Sequence, residues 1–153
     1  MSEGFWVLVA VLLVATVFGT YRLARDGRFR GSHDLAVQPD SMPTRVGGVL
    51  DGSGLDHELG QRATLLQFSS AFCAPCRATR RVLCDVAAVV PGVVHLEVDA
   101  EQHLELVRRA GVTRTPTTLI LDHLGAELSR ATGAPRKDDV LATLANALED
   151  RTA

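Results

Sequence analysis

The chain has 153 residues, 22% of them charged and 5% aromatic, with a formal net charge of −2. That length suits one compact domain with one core, and the lack of a basic surplus or of aromatic platforms argues against nucleic acid as a partner. Three cysteines, unevenly spaced, are too few for a secreted disulfide scaffold and point to chemistry rather than stapling.

The first element is an apolar run from Gly4 to Tyr21, 18 residues without a charge, flanked by Glu3 and Arg22. It just reaches bilayer-spanning length and is read as a transmembrane helix, with Trp6 and Tyr21 near its ends where amphipathic rings suit the headgroup layer. A cleaved signal peptide would want a basic start, a shorter apolar core and a small-residue cleavage site, none of which is clear; a buried core helix is a minor alternative. Residues 22–44 follow with Arg22, Arg25, Arg28 and Arg30 and then a polar stretch holding Pro39 and Pro43. With neither helical nor strand periodicity, this segment reads as a flexible basic linker of about 25 Å root-mean-square span, its arginines also suited to anionic headgroups. The soluble domain is then expected over residues 45–150.

Its first clear strand is Thr64-Leu65-Leu66-Gln67-Phe68, which gives way at Phe72-Cys73-Ala74-Pro75-Cys76-Arg77 to a helical pattern running to Val90. Two thiols therefore open a helix, where unpaired N–H groups and the dipole stabilise the first as a thiolate. Cys76, one turn on, is close enough to attack a mixed disulfide on Cys73 and close a Cys73–Cys76 ring. Pro75 costs no hydrogen bond in a first turn and stiffens the loop. A zinc site would need two more ligands, and no second CxxC or HxxxH occurs. Haem attachment would need His where Arg77 stands. Cys84 lies eight residues beyond Cys76, roughly 12 Å along a helix and out of reach, and reads as a half-buried spectator beside Ala87 and Ala88.

Val93 to Asp99 alternates as a strand, and a polar helix is expected from Glu101 to Ala110, ended by Gly111. Thr117 to Leu121 forms a strand, Asp122 to Gly125 a turn, and a second strand runs through Ala131, giving an antiparallel hairpin. The last helix, Arg136 to Leu148, carries Val140, Leu141, Leu144, Ala147 and Leu148 on its core side. His33, His57, His103 and His123 have no metal-ligand spacing and read as surface residues. Arg77, Arg80 and Arg81 read as a solvated helix face, with steering of acidic partners as the rival account.

Together these residues resemble the thioredoxin family over about Arg45 to Glu149. The resemblance rests on Phe72-Cys73-Ala74-Pro75-Cys76 between strand and helix, on Gly111-Val112-Thr113-Arg114-Thr115-Pro116-Thr117 downstream, and on Gly133 before the final helix. It implies an α/β thioredoxin-like fold, a mixed sheet flanked by helices, here preceded by the transmembrane helix. It also implies a cis Pro116 lying against the dithiol and a Thr115 that offers backbone groups to a substrate strand. Thioredoxins carry Trp-Cys-Gly-Pro-Cys; Phe72 and Ala74 replace Trp and Gly, keeping ring packing and losing the indole donor. An aspartate that in many thioredoxins helps deprotonate the second cysteine aligns with Gln67, which takes up no proton near neutral pH. His95 aligns with the neighbouring lysine and either handles that proton or is a strand histidine that is merely hydrogen-bonded. Arg81 stands where thioredoxins have a helix-kinking proline, so a straighter helix is expected.

The function so implied is a membrane-anchored thiol–disulfide oxidoreductase, with Cys73 as nucleophile and Cys76 as resolving thiol. Phe72, Ala74, Pro75, Thr115, Pro116, Gln67 and His95 shape the site. No metal or cofactor is implied beyond the Cys73–Cys76 disulfide; the partners are disulfide-containing proteins or small thiols and an electron donor that the chain does not identify. The alternatives are a non-enzymatic thioredoxin-fold module that binds a partner or metal, and an extracytoplasmic thiol reductase for cytochrome maturation. Four arginines after the apolar run against none before it predict a cytoplasmic domain by the positive-inside rule, whereas Gln67 resembles tethered reductases that face the outside.

Overall fold

The computed structural model describes residues 3–25, 27–31 and 48–149. Helix α1 spans Glu3–Arg25 and exposes its large apolar side chains, Trp6 and Phe18 among them. Gly4–Tyr21 is long and apolar enough to cross a membrane, a property that a signal sequence shares. A five-stranded mixed sheet follows, formed by β1 (Phe29–Gly31), β2 (Ala63–Ser69), β3 (Val93–Asp99), β4 (Thr117–Asp122) and β5 (Glu127–Thr132). Their spatial order is β1-β5-β4-β2-β3. Strands β2 and β3 pair in parallel through helix α2 (Ala74–Val89), whereas β4 runs antiparallel to β2 and β5. Helices α3 (Leu104–Arg109) and α4 (Lys137–Glu149) complete the domain.

The central strand β2 is buried throughout, so its alternation sorts residues between two apolar layers rather than between core and water. Leu66 and Phe68 join Leu50, Leu96, Val98, Leu106, Leu119 and Leu121 on the α3 side. Ala63 and Leu65 join Leu83 and Val86 of α2 and Val140 and Leu144 of α4 on the other. The stripe expected on the last helix packs this way, with Leu141 and Leu148 partly buried at its margin. At the β4–β5 turn the Asp122 carboxylate accepts the backbone N–H groups of Leu124 and Ala126, both at 2.8 Å, which closes the hairpin.

Two local expectations are corrected. The segment 22–44, read as a flexible linker, is structured at its start: α1 runs on to Arg25, and Phe29–Gly31 pairs antiparallel with β5, Phe29 opposite Ala131. Gly27 donates its N–H to the Thr132 carbonyl at 2.7 Å with φ +81°, and a Cβ there would overlap the Ala134 carbonyl. An open sheet edge binds backbone and asks for no side-chain period, so three residues can pair without the alternation that marks a strand. The rest of that segment, and residues 45–47 and 150 of the expected domain, lie outside the described residues. The second correction is α3, which starts at Leu104 rather than Glu101. Asp99 holds the preceding turn, accepting from the Glu101 N–H at 2.9 Å and from Gln102 Nε2 at 2.8 Å, and so delays the helix.

Candidate active site

The site is assembled where β2 ends. Beyond Ser69 the chain turns through Ser70, Ala71 and Phe72, and Cys73 caps α2 in an extended conformation, with Pro75 in the first turn. Cys73 and Cys76 are joined as a disulfide with an S–S distance of 1.98 Å. The Cys76 N–H points at Cys73 Sγ, 3.1 Å away, a donor that favours the thiolate once the disulfide is reduced. Cys76 is only 3% exposed, whereas Cys73 is half-buried. Of the two, Cys73 is the sulfur-bearing residue open to solvent, with Cys76 behind it. Helix α2 runs unbroken for 16 residues through Arg81.

Strand β4 brings the second loop to the same end of the sheet, since Phe68 pairs with Thr117. The Thr115–Pro116 bond is cis. Pro116 is buried, its carbonyl accepts the Gly133 N–H at 2.8 Å, and the Thr117 hydroxyl donates to the Arg114 carbonyl at 2.8 Å. The two loops are tied directly, for Thr115 Oγ1 lies 3.1 Å from Ser70 Oγ, and the Cys73 N–H reaches the Ser70 carbonyl at 3.3 Å. Ser70 is a site residue that sequence reading passes over, because a serine after a strand carries no signal beyond that of a turn.

Beneath the dithiol lies a chain of polar contacts. Gln67, fully buried, donates from Nε2 to the Cys76 carbonyl at 3.0 Å. Its Oε1 faces His95 Nε2 at 3.1 Å, and His95 Nδ1 faces Cys84 Sγ at 3.3 Å. Because a carbonyl only accepts, the Gln67 amide is fixed with Nε2 towards Cys76, and Oε1 requires a proton on His95 Nε2. In the neutral ring Nδ1 is then free to accept from the thiol of Cys84. Burial holds His95 below the ordinary histidine range; Glu97 opposes this and Arg80 adds to it. Of the two readings of His95, the structure supplies the hydrogen bonds, to partners on both sides.

Other expectations fare differently. Phe72 does not keep ring packing: it is 100% exposed, because the short loop ahead of the helix cap points the ring into solvent. Ala74 is exposed on the first turn. Cys84 is exposed rather than half-buried, since its turn of α2 faces the solvent-side edge of β3 and not the core. Arg80 is paired with Glu97 at 3.3 Å, while Arg77 and Arg81 are exposed. His57 and His123 are exposed, His103 sits at the start of α3 with Nδ1 3.1 Å from the Asp99 carbonyl, and His33 lies outside the described residues. Among the described residues no group of three His, Cys, Asp or Glu side chains is placed to hold a metal ion.

A half-buried cysteine capping a helix, disulfide-bonded to a buried one a turn on and set beside a cis-proline loop on a mixed sheet, defines a redox-capable dithiol site. The family model for thioredoxin matches residues 49–146, well over half of the chain, and the chain belongs to the thioredoxin family. It is 34% identical over 83 residues to a thioredoxin H-type of Oryza sativa subsp. indica, covering 54% of this chain and 66% of the relative. It is 30% identical over 107 residues to thioredoxin H2-2 of Oryza sativa subsp. japonica, covering 66% and 78%. Among solved structures, Fasciola hepatica thioredoxin superposes with a TM-score of 0.54 at 25% identity, covering 67% of this chain and 96% of that one. Spinach chloroplast thioredoxin F, at 22% identity and a TM-score of 0.54, shares the fold over 65% and 88%. The chain spans between 56% and 66% of the length of the first three curated relatives, from rice and tobacco.

Proposed function

We propose that the chain is a thiol–disulfide oxidoreductase that reduces or exchanges disulfides of protein or small-thiol partners. The observation that carries this reading is the asymmetry of the pair: Cys73 half-buried with an N–H aimed at its sulfur, Cys76 3% exposed behind it. In the reduced protein the Cys73 thiolate attacks one sulfur of the substrate disulfide, the substrate's S–S bond breaks, and the departing thiolate takes up a proton. The Cys76 thiolate then attacks Cys73 Sγ, the mixed disulfide breaks, and the second substrate thiol leaves. Two electrons pass from the dithiol to the substrate, and Cys73–Cys76 is the oxidised product. The exposed ring of Phe72 and the tied Ser70–Thr115 loops border the place where a substrate chain would lie.

Trapping tests this. Cys73→Ser is expected to abolish exchange, and Cys76→Ser to accumulate mixed disulfides, since only the second thiol releases a captured partner. Equal capture by both variants would reverse or void the roles. A reversible two-electron potential between roughly −120 and −270 mV is expected, whereas a protein that never closes Cys73–Cys76, or that purifies with stoichiometric zinc, is a binding module instead.

The same proposal places α1 in a membrane as an anchor. Arg22, Arg25, Arg28 and Arg30 after the apolar run, against no Lys or Arg before it, support a cytoplasmic domain. A cysteine introduced as Ser41→Cys, with the native cysteines replaced, is expected to react with a membrane-impermeant maleimide only after cell lysis. Labelling of intact cells would turn the role towards thiol reduction outside the cytoplasm, such as cytochrome maturation.

A further inference from the structure

Cys84 takes no part in the dithiol chemistry, yet it is an exposed thiol with its sulfur 3.3 Å from an imidazole nitrogen. That imidazole is held in turn by the buried amide of Gln67 at 3.1 Å. The three groups come from three elements: Cys84 from α2, His95 from β3 and Gln67 from β2. A nucleophile within hydrogen-bond reach of a base whose ring a third group orients is the arrangement that activates thiols. The orientation follows from the amide chemistry above, for Gln67 Nε2 is committed to the Cys76 carbonyl. His95 Nε2 must therefore carry the proton, and Nδ1 presents its lone pair to Cys84.

We infer that Cys84, His95 and Gln67 form a second thiol centre, separate from the dithiol, that takes low-molecular-weight disulfides as substrates and stores them as a mixed disulfide on Cys84. In the forward step His95 Nδ1 accepts the thiol proton and Cys84 Sγ attacks one sulfur of the small disulfide. The S–S bond of that disulfide breaks, and the departing thiolate takes the proton from the imidazolium. One thiol is oxidised to the level of a disulfide and one small thiol is released, so electrons and protons balance without a further reactant. The base must be neutral at working pH, and burial of the ring favours that form. The charged groups facing it are Arg80 from α2 and Glu97 from β3, which pair with each other at 3.3 Å; β2 contributes only neutral side chains.

The oxidised protein is suited to the test, since with Cys73–Cys76 closed Cys84 is the one free thiol of the three cysteines. Glutathione disulfide is added at pH 7 and the mixed disulfide followed by intact mass, in the native protein and in the same protein unfolded in guanidinium. The unfolded chain reports an ordinary cysteine. The native protein is expected to react about tenfold or more faster than the unfolded one. His95→Gln, which keeps a polar side chain but no usable base, should bring the native rate down to that of the unfolded chain, and Gln67→Leu should lie between. Native wild type reacting no faster than its own unfolded form overturns the inference without any variant, as does a His95→Gln rate equal to wild type. Because the dithiol is closed throughout, the result is independent of whether Cys73 and Cys76 exchange disulfides.

Discussion

The two faces of the central sheet are built to different rules. On the α3 side, Leu66 and Phe68 enter an apolar layer, whose stability follows largely from area and fit. The buried Thr64 and Thr117 on that face turn their hydroxyls to backbone, Thr64 accepting the Gly60 N–H and Thr117 donating to the Arg114 carbonyl. On the α2 and α4 side, Ala63 and Leu65 enter a similar layer, but the strand's next residue on that face is Gln67. Around it lie His95, the Cys76 carbonyl and, directly across on β4, Thr118. On β2 the buried polar side chain of Gln67 lies at the end of the strand that carries the dithiol. A buried amide costs free energy unless both its ends are paired, and Gln67 has both paired, one of them to the helix that carries the dithiol.

The comparison is broken most strongly on the apolar face. Phe68→Ala is expected to lower unfolding free energy by about 3 to 5 kcal/mol in urea titrations, because a fully buried ring leaves a cavity; a loss below about 1 kcal/mol would mean that the layer is not close-packed. On the polar side, Gln67→Ala should cost about 2 to 3 kcal/mol, by removing the acceptor of His95 Nε2 and leaving a smaller void.

Thr118 sharpens the contrast in the opposite direction. Its hydroxyl is buried without a hydrogen-bond partner among the described residues. Thr118→Val replaces that hydroxyl with a methyl group in a strand, and a gain of about 1 kcal/mol is expected in the same titration. A loss would show that the hydroxyl is satisfied in solution.

Protonation of His95 supplies a subtler probe. Its folded-state pKa is lowered by burial, so the unfolded chain binds the extra proton more readily. The stability that depends on this group is complete above about pH 6.5 and falls as the pH drops below it towards the folded value. Wild type should therefore lose more stability between pH 7 and pH 5.5 than His95→Gln does, and parallel curves would count against a buried neutral ring. The smallest effect on stability is expected at Phe72. Fully exposed, it should leave the unfolding midpoint unchanged on replacement by Ala while slowing reduction of a protein disulfide; an unchanged rate would remove it from the substrate path.

Much of this was legible in the residues themselves. The order of elements from β2 to α4 and the Cys73 and Cys76 pair at a helix start follow from hydrophobic period and from the chemistry of helix ends, both properties of neighbours in the chain, whereas Pro116 stood out as a site residue through the resemblance to the thioredoxin family. The strand Val93–Asp99 was readable to its ends because its β-branched residues alternate and Pro91-Gly92 precede it. Tertiary structure alone decided the rest. Phe29–Gly31 became a strand because the edge of β5 was open to its backbone, Phe72 lost its expected packing because a short loop turned the ring outward, and Cys84 met His95 because α2 lies across β3. The first and the last of these depend on a surface supplied by another element of the fold. A local pattern carries no record of such a surface, which exists only once the sheet has formed.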